Sequence, residues 1–402
     1  MKKKKKKKKK DVSMKQFPAK MIILLLLTTM VLCAVIISTV DFPSKKIFND
    51  TPTLPSMVES LPVIDMVITW GGSANDKIRS ALRKQWLENL GLSTDTRPVV
   101  DYGELAWNIQ STKQNAPWIR TIFVVKPKES VPNFSMPSNV VLIDDDTLVN
   151  PKDAPVFNSH AIEAVLDRIP GLAEFFVYAC DDMTFNNPTP PSFFFTDKID
   201  PAKSKGMHEP VIRYLKKKGR NGNTIHDAAW RNNNVILRQK LGAKTTYYPE
   251  HQMVMLRKSF FVLCREIFEE EWQKTASAKF RSKLDIHPVG LVINKIVHDN
   301  MGLFDCYPPD SCLYLTSSSL VWNRIQWNYF ILTDKLNKAK LICVNDKTKK
   351  YNRRIHKWLQ KNVYSNVTEK KKNSNNFNEQ KQVTFVTSER VQNLSPKQEW
   401  LQ

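Results

Sequence analysis

Residues 157–183, FNSHAIEAVLDRIPGLAEFFVYACDDM, constrain this chain most, because they join a capped helix to a buried strand that ends on two adjacent aspartates. Asn158 and Ser159 supply cap oxygens, Ile162, Val165, Leu166 and Ile169 form one apolar helical face, and Pro170-Gly171 stops the helix. Residues 175–179 are apolar throughout, which predicts a strand buried on both faces in a sheet covered by helices. Open α/β sheets bind ligands outside the carboxyl ends of their strands, and Asp181 and Asp182 stand at such an end. Adjacent carboxylates repel. A divalent cation or a cationic substrate group between them relieves the repulsion, whereas a cap or an exposed turn would tolerate them without function. Glu163 and Asp182 are 19 positions apart, yet a helix–turn–strand unit folds them back toward one another.

Short β-branched or aromatic runs recur at residues 63–70, 121–126 and 140–144, separated by helical patterns at 77–90 and 104–114. That alternation predicts an α/β fold with a mostly parallel sheet of the nucleotide-binding type. Residues 228–272 and 280–297 follow helical spacing and predict an added helical layer that carries His251 and Arg281 over the strand ends. Residues 198–223 are basic and polar, as in an insertion or mobile loop, and a further helix is expected near 351–359.

Residues 21–40 hold no charge, and 20 residues of helix span about the hydrocarbon core of a bilayer. Lysines precede this segment and Asp41 follows it, so the positive-inside rule predicts one transmembrane signal anchor of type II orientation, with the body of the chain lumenal or outside. The expected organisation is a cytosolic polybasic tail (1–20), the anchor (21–40), a Pro/Ser/Thr-rich stem (41–62), one folded domain (63–346) and a polar basic tail (347–402), largely disordered. A Golgi or other secretory-pathway membrane is the expected compartment, and the sequons at Asn49, Asn133, Asn366 and Asn393 agree with a glycoprotein. The net charge of +22 comes partly from nine consecutive lysines at 2–10 and from the C-terminal tail, without interleaved aromatics on a folded element, which argues against nucleic acid as a partner. Cys306 and Cys312 could close a small loop, Cys180 reads as a free thiol, and the odd number of cysteines after the anchor permits a disulfide-linked homodimer.

Four blocks stand out: IDMVITW at 64–70; DYGELAWNIQSTKQNAPWIRTIFVV from Asp101, continued by 157–183; His251 of HQM, 30 residues before Arg281 of KFR; and ICVND at 342–346. Together they resemble the Stealth family of sugar-phosphate transferases, which includes bacterial capsule hexose-1-phosphate transferases and the N-acetylglucosamine-1-phosphotransferase alpha/beta subunit. The resemblance implies transfer of a sugar-1-phosphate from a nucleotide diphosphate sugar, UDP-GlcNAc-like, to a glycan or glycoprotein hydroxyl, releasing nucleoside monophosphate. Such a reaction needs a cation for the diphosphate, Mg²⁺ or Mn²⁺, a cationic hydrogen-bond donor for the reacting phosphoryl group and a base for the incoming hydroxyl.

On that resemblance the catalytic candidates are Glu163, Asp182, His251 and Arg281, the metal ligands Asp181, Asp182 and Asp346, and the nucleotide-sugar contacts Asp65, Trp70 and Asp76. Arg281 offers a fork suited to phosphate oxygens, and His251 is either base or phosphate ligand. For Glu163 the roles of base, sugar-hydroxyl acceptor and metal organiser all remain open. Trp70 is either a stacking platform for a nucleobase or strand-end core, and Asp65 either a donor-site group or a strand-end cap. Ala106 and Gln110 stand where the family has arginines, and Cys180 where asparagine is usual. Two alternatives follow. One is a metal-dependent glycosyltransferase, for which Asp144–Asp146 supply a D-x-D; the other is an inactive glycan-binding or complex-forming subunit.

Overall fold

A computed structural model describes residues 62–364, apart from 74–75, 93–100, 197–210, 216–223, 245, 306–310 and 346–349. The expected anchor at 21–40, the stem, Cys306, Asp346 and the tail beyond 364 lie outside the described residues.

The central sheet is built from β1 (Ile64–Thr69), β2 (Ile122–Lys126), β3 (Val140–Asp144), β4 (Phe175–Cys180) and β8 (Val254–Arg257), in the order β3-β2-β1-β4-β8. The first four are mutually parallel and β8 runs antiparallel along β4. Met66, Val67, Ile68, Phe176, Val177 and Ala179 are fully buried, as expected of strands covered on both faces. Each large apolar side chain so buried contributes roughly 1.5–3 kcal/mol of transfer free energy.

The chain lays β2 and β3 on one side of β1 and then returns to place β4 on the other. That reversal is a topological switch point, where the loops leaving β1 and β4 diverge and open a crevice. Thr69 and Cys180 are paired at its edge, so Trp70 and Asp181 both enter it.

Two small sheets flank this core. β5 (Met183–Phe185) pairs antiparallel with β11 (Leu341–Asn345), which pairs parallel with β10 (Cys312–Thr316). β6 (Phe195–Thr196), β7 (Val211–Leu215) and β9 (Gly302–Asp305) form the other. Because β5 begins directly after Asp182, the two aspartates sit at the joint between the main sheet and the β5-β11 pair.

The helices used below are α1 (Lys77–Asn89), α2 (Glu104–Asn115), α3 (Ser159–Glu163), α4 (Ile225–Leu241), α5 (Lys258–Ile267), α6 (Glu269–Ala276), α7 (Pro288–His298), α8 (Leu320–Leu332) and α9 (Arg353–Asn362). Three differ from expectation. The helix after Asn158 is a single turn followed by a 3₁₀ turn at Leu166–Arg168, and 280–287 is irregular until Pro288 opens α7. The helical reading of 228–272 misses β8, whose four apolar residues are too few to separate the two periodicities. The segment read as a loop at 198–223 also contains β7.

Candidate active site

Asn158 accepts the His160 N–H at 3.0 Å and so starts α3, whose last residue is Glu163. Glu163 Oε1 accepts from the Tyr178 hydroxyl at 3.3 Å, and Tyr178 in turn lies 3.2 Å from the Thr69 hydroxyl. Tyr178 projects from β4, two residues before Cys180, and its hydroxyl is 4.0 Å from the Cys180 sulfur. Burial raises the Glu163 carboxyl above its usual range, while His160, Arg281 and the Tyr178 hydroxyl favour its charged form. Arg281 also donates to the Ser159 hydroxyl. Glu163 and Arg281 therefore form one half of the site, reached from different blocks of the sequence.

Asp182 forms the other half. His251 Nε2 lies 3.9 Å from Asp182 Oδ2, and the Cys343 thiol donates to the same oxygen at 3.5 Å. Val344 N donates to the Asp182 carbonyl at 2.8 Å, which fixes the joint against β11. Asp182 Oδ1 is buried with no hydrogen-bond partner. Burial raises the Asp182 carboxyl, with His251, Cys343 and Asn345 opposing. Burial, then the charges of Asp182 and Asp101, push Asp181 up to about 8. Glu104 is held well above the carboxylate range by burial and by Asp181, and Cys180 and Cys343 are raised by burial and by Asp182.

These carboxyls cannot all ionise together without a counter-charge, and the orphaned Oδ1 is a ligand atom without a partner. The residues therefore fit a divalent cation. Asp182 would hold it together with the adjacent Asp181; the ligand atoms of Asp182, His251 and Cys343 lie within 4.8 Å of one another. Asp346 falls outside the described residues.

A cavity of about 200 Å³ opens next to this cluster, lined by Trp70, Asp101, Tyr102, Ala106, Trp107 and His356 among others. Asp101 belongs to both places, since it lines the cavity and raises Asp181. Gly103 starts α2 with φ of 91°, a left-handed conformation, and a Cβ there would lie 3.3 Å from Trp107 Nε1. Trp107 Nε1 is itself a buried donor with no hydrogen-bond partner. Asn108, one turn into α2, donates to the Cys180 carbonyl at 3.0 Å and ties the cavity wall to the end of β4.

Trp70 thus borders the cavity, but the other two expected nucleotide-sugar contacts do not join it. Asp65 sits at the amino end of β1, away from the crevice. Its carboxylate receives Arg120 Nε at 2.9 Å and Nη2 at 2.6 Å, Thr121 N at 3.2 Å and Ala173 N at 2.8 Å. These bonds make Asp65 a buried brace between chain segments, in keeping with the strand-end reading. Asp76 caps α1 by accepting the Arg79 N–H at 2.9 Å and the Ser130 hydroxyl. The D-x-D alternative is likewise occupied internally: Asp144 pairs with Lys126 at 2.6 Å, Asp145 with Arg79 at 3.4 Å and Asp146 with Lys128 at 3.9 Å. Among the described residues Cys180, Cys264, Cys312 and Cys343 are free thiols; Cys306, the other member of the possible loop, lies outside them.

Sequence reasoning missed Tyr178, Tyr102, Trp107 and His356. Tyr178 was hidden by its place in an apolar strand; the others face a cavity made by two elements distant in sequence. The family model "Stealth protein CR2, conserved region 2" matches residues 98–203, which include Glu104, Glu163 and both aspartates. Over those residues the chain is similar to the Stealth conserved region 2. Among curated relatives of this Stealth-like chain, an exopolysaccharide phosphotransferase of Nocardia farcinica is 29% identical over 272 residues, covering 65% of this chain and 52% of that protein. One from Streptomyces coelicolor is 32% identical over 234 residues, 56% of this chain and 41% of that protein. The capsular polysaccharide phosphotransferase fcs1 of Haemophilus influenzae is 26% identical over 317 residues, 76% of this chain and 84% of that protein. The chain spans about half the length of the first of these relatives. Among solved structures, a galactosyltransferase LgtC complex with donor and acceptor sugar analogs overlaps 78% of this chain and 98% of that chain at 12% identity and a TM-score of 0.35. Mouse xyloside xylosyltransferase 1 overlaps 71% of this chain and 98% of that chain at 11% identity and a TM-score of 0.34.

The expected Golgi or secretory-pathway placement is corrected by these relatives, which come from bacteria, organisms without a Golgi. Among the described residues no helix is long and apolar enough to cross a membrane.

Proposed function

We propose that this chain transfers a sugar-1-phosphate from a nucleotide diphosphate sugar to a hydroxyl of a glycan, releasing nucleoside monophosphate. One observation carries the reading: a cavity lined by aromatic rings adjoins, through Asp101, a carboxylate cluster with an orphaned buried oxygen, at the switch point of the sheet. The aromatic cavity suits a nucleobase, stacked on Trp70 and offered the Trp107 N–H. A divalent cation at Asp181 and Asp182 would neutralise the diphosphate, and the nearby Cys343 thiol favours Mn²⁺ over Mg²⁺.

The chain's own groups supply the rest. The Arg281 fork donates to the reacting phosphoryl group. His251, whose side chain is 41% exposed against 8% for Glu163, is the group an acceptor hydroxyl can reach, and it takes that proton. The acceptor oxygen bonds to the sugar-bearing phosphorus while the bond between the phosphates breaks. Glu163, fixed by Tyr178, sets the position of Arg281.

A second reading, a glycan-binding subunit without turnover, is favoured by Ala106, which lines the cavity where the family places a cation. Turnover of UDP- and GDP-sugars with Mn²⁺ separates the two. Asp182→Asn should lose at least ~10²-fold in rate while remaining folded, as loss of an electrostatic catalytic group does; undiminished turnover in that variant would refute the proposal.

A further inference from the structure

His160 of α3, His226 in the first turn of α4 and His287 at the cap of α7 converge from three helices, with one ligand nitrogen of each within 4.8 Å of the others. Their ring centroids are 5.0–5.8 Å apart. His160 is fully buried, and its Nδ1 lies 3.4 Å from Asp285 Oδ2. A carboxylate at that nitrogen places the proton on Nδ1 and leaves a lone pair on Nε2. That Nε2 is buried with no hydrogen-bond partner.

Asp285 is fixed in turn by Asn158 Nδ2 at 3.0 Å, the Ser282 hydroxyl at 2.7 Å and Ser282 N at 3.1 Å. This is the carboxylate–histidine arrangement that stands behind metal-ligating imidazoles. His287 Nδ1 accepts the Gly290 N–H at 3.0 Å, which fixes the ring as the cap of α7. Trp230 stacks on the His287 ring at 4.3 Å and holds its plane. The space for that stacking depends on Gly290, where a Cβ would fall 2.1 Å from the Trp230 ring.

We propose that His160, His226 and His287 bind a zinc-class divalent ion at a site separate from the carboxylates of Asp181 and Asp182. Three imidazoles suit Zn²⁺, Ni²⁺ or Cu²⁺ and not the hard cations that prefer oxygen ligands. His287 Nδ1 is 3.7 Å from Glu163 Oε2, so the ion clasps α3, α4 and α7 behind the Glu163 wall of the active site. Its role is to position that wall, and it does not depend on which reaction the site performs.

The test uses the untagged full chain, loaded with Zn²⁺, passed through gel filtration and assayed for bound metal. Asp182, His251 and Cys343 form the other group able to take zinc, so the measurement is made in a His251→Ala background. About one equivalent should remain there, and Zn²⁺ but not Mg²⁺ should raise the Tm. Adding His226→Gln, a change at a partly buried side chain, should abolish both effects with the circular dichroism unchanged. If that variant misfolds, Co²⁺ loading of the His251→Ala protein decides: a visible spectrum without a sulfur charge-transfer band supports the three histidines. No bound metal in the His251→Ala protein, equal binding after His226→Gln, or a sulfur band from Cys343 would overturn the proposal.

Discussion

Asp65→Asn distinguishes a brace from a donor-site residue at a position where sequence reasoning allowed both. The carboxylate is wholly buried and accepts four hydrogen bonds, two from Arg120 and two from backbone amides of different segments. Asparagine keeps the volume but turns one acceptor oxygen into a donor, so one N–H and part of the guanidinium lose their partner. Breaking a fully buried ion pair costs about 3–5 kcal/mol. The Arg120 side chain, however, is 50% exposed and can turn its charge to water, which limits the cost to about 2–3 kcal/mol. A domain with about 5–15 kcal/mol of stability survives that loss at room temperature. Urea denaturation followed by circular dichroism should show a lower midpoint with an unchanged slope. Turnover per folded molecule should stay within about twofold of the parent, a difference well under 1 kcal/mol. An unchanged midpoint with a large loss of turnover would refute the reasoning and return Asp65 to the donor site.

Burial, with Asp146 and Glu129 adding to it and Arg79 opposing, pushes Asp145 up to about 7 from an ordinary 3.8. Its folded value is the higher one, so its contribution to stability is fully present below pH 3.8 and is lost as pH rises through about 7. A gap of about three pH units at about 1.4 kcal/mol each gives an upper limit of ~4 kcal/mol. Asp145→Asn should therefore flatten the fall in stability between about pH 4 and 7, measured as Tm against pH; an unaltered profile would contradict it. Tyr178→Phe removes one hydrogen bond to Glu163, worth about 1 kcal/mol, and should lower kcat/KM about fivefold. It should also move the acidic limb of the pH–rate profile upward, because the Tyr178 hydroxyl favours the charged carboxylate; a rate loss without that shift would mark a packing role only.

Much of the scaffold was legible because its strands are apolar throughout and its helices carry caps and stops. The run at residues 140–144 was read with the bounds it has, and 175–179 fell one residue short of β4. The Asp-Asp pair was also legible as the end of a strand, since Cys180 closes β4 immediately before it. What was not legible depends on pairs far apart in sequence. Nothing local in Asp65 shows that Arg120 and Ala173 will surround it, and nothing in Cys343 shows that β11 will bring its thiol to Asp182. The three histidines lie at 160, 226 and 287, spacings with no motif, and only the packing of their helices gathers them. Strand β8 failed for a different reason, because a four-residue apolar run next to a helix carries no periodicity of its own.

The most direct test of the proposed chemistry is the identity of the nucleotide released. The chain would be incubated with Mn²⁺, a panel of UDP- and GDP-sugars and simple sugar acceptors, and the products separated by ion-exchange chromatography. Nucleoside monophosphate, formed only when acceptor is present, is the predicted result, because it requires cleavage between the two phosphates. Nucleoside diphosphate would show that the glycosidic bond was cut instead and would contradict sugar-1-phosphate transfer.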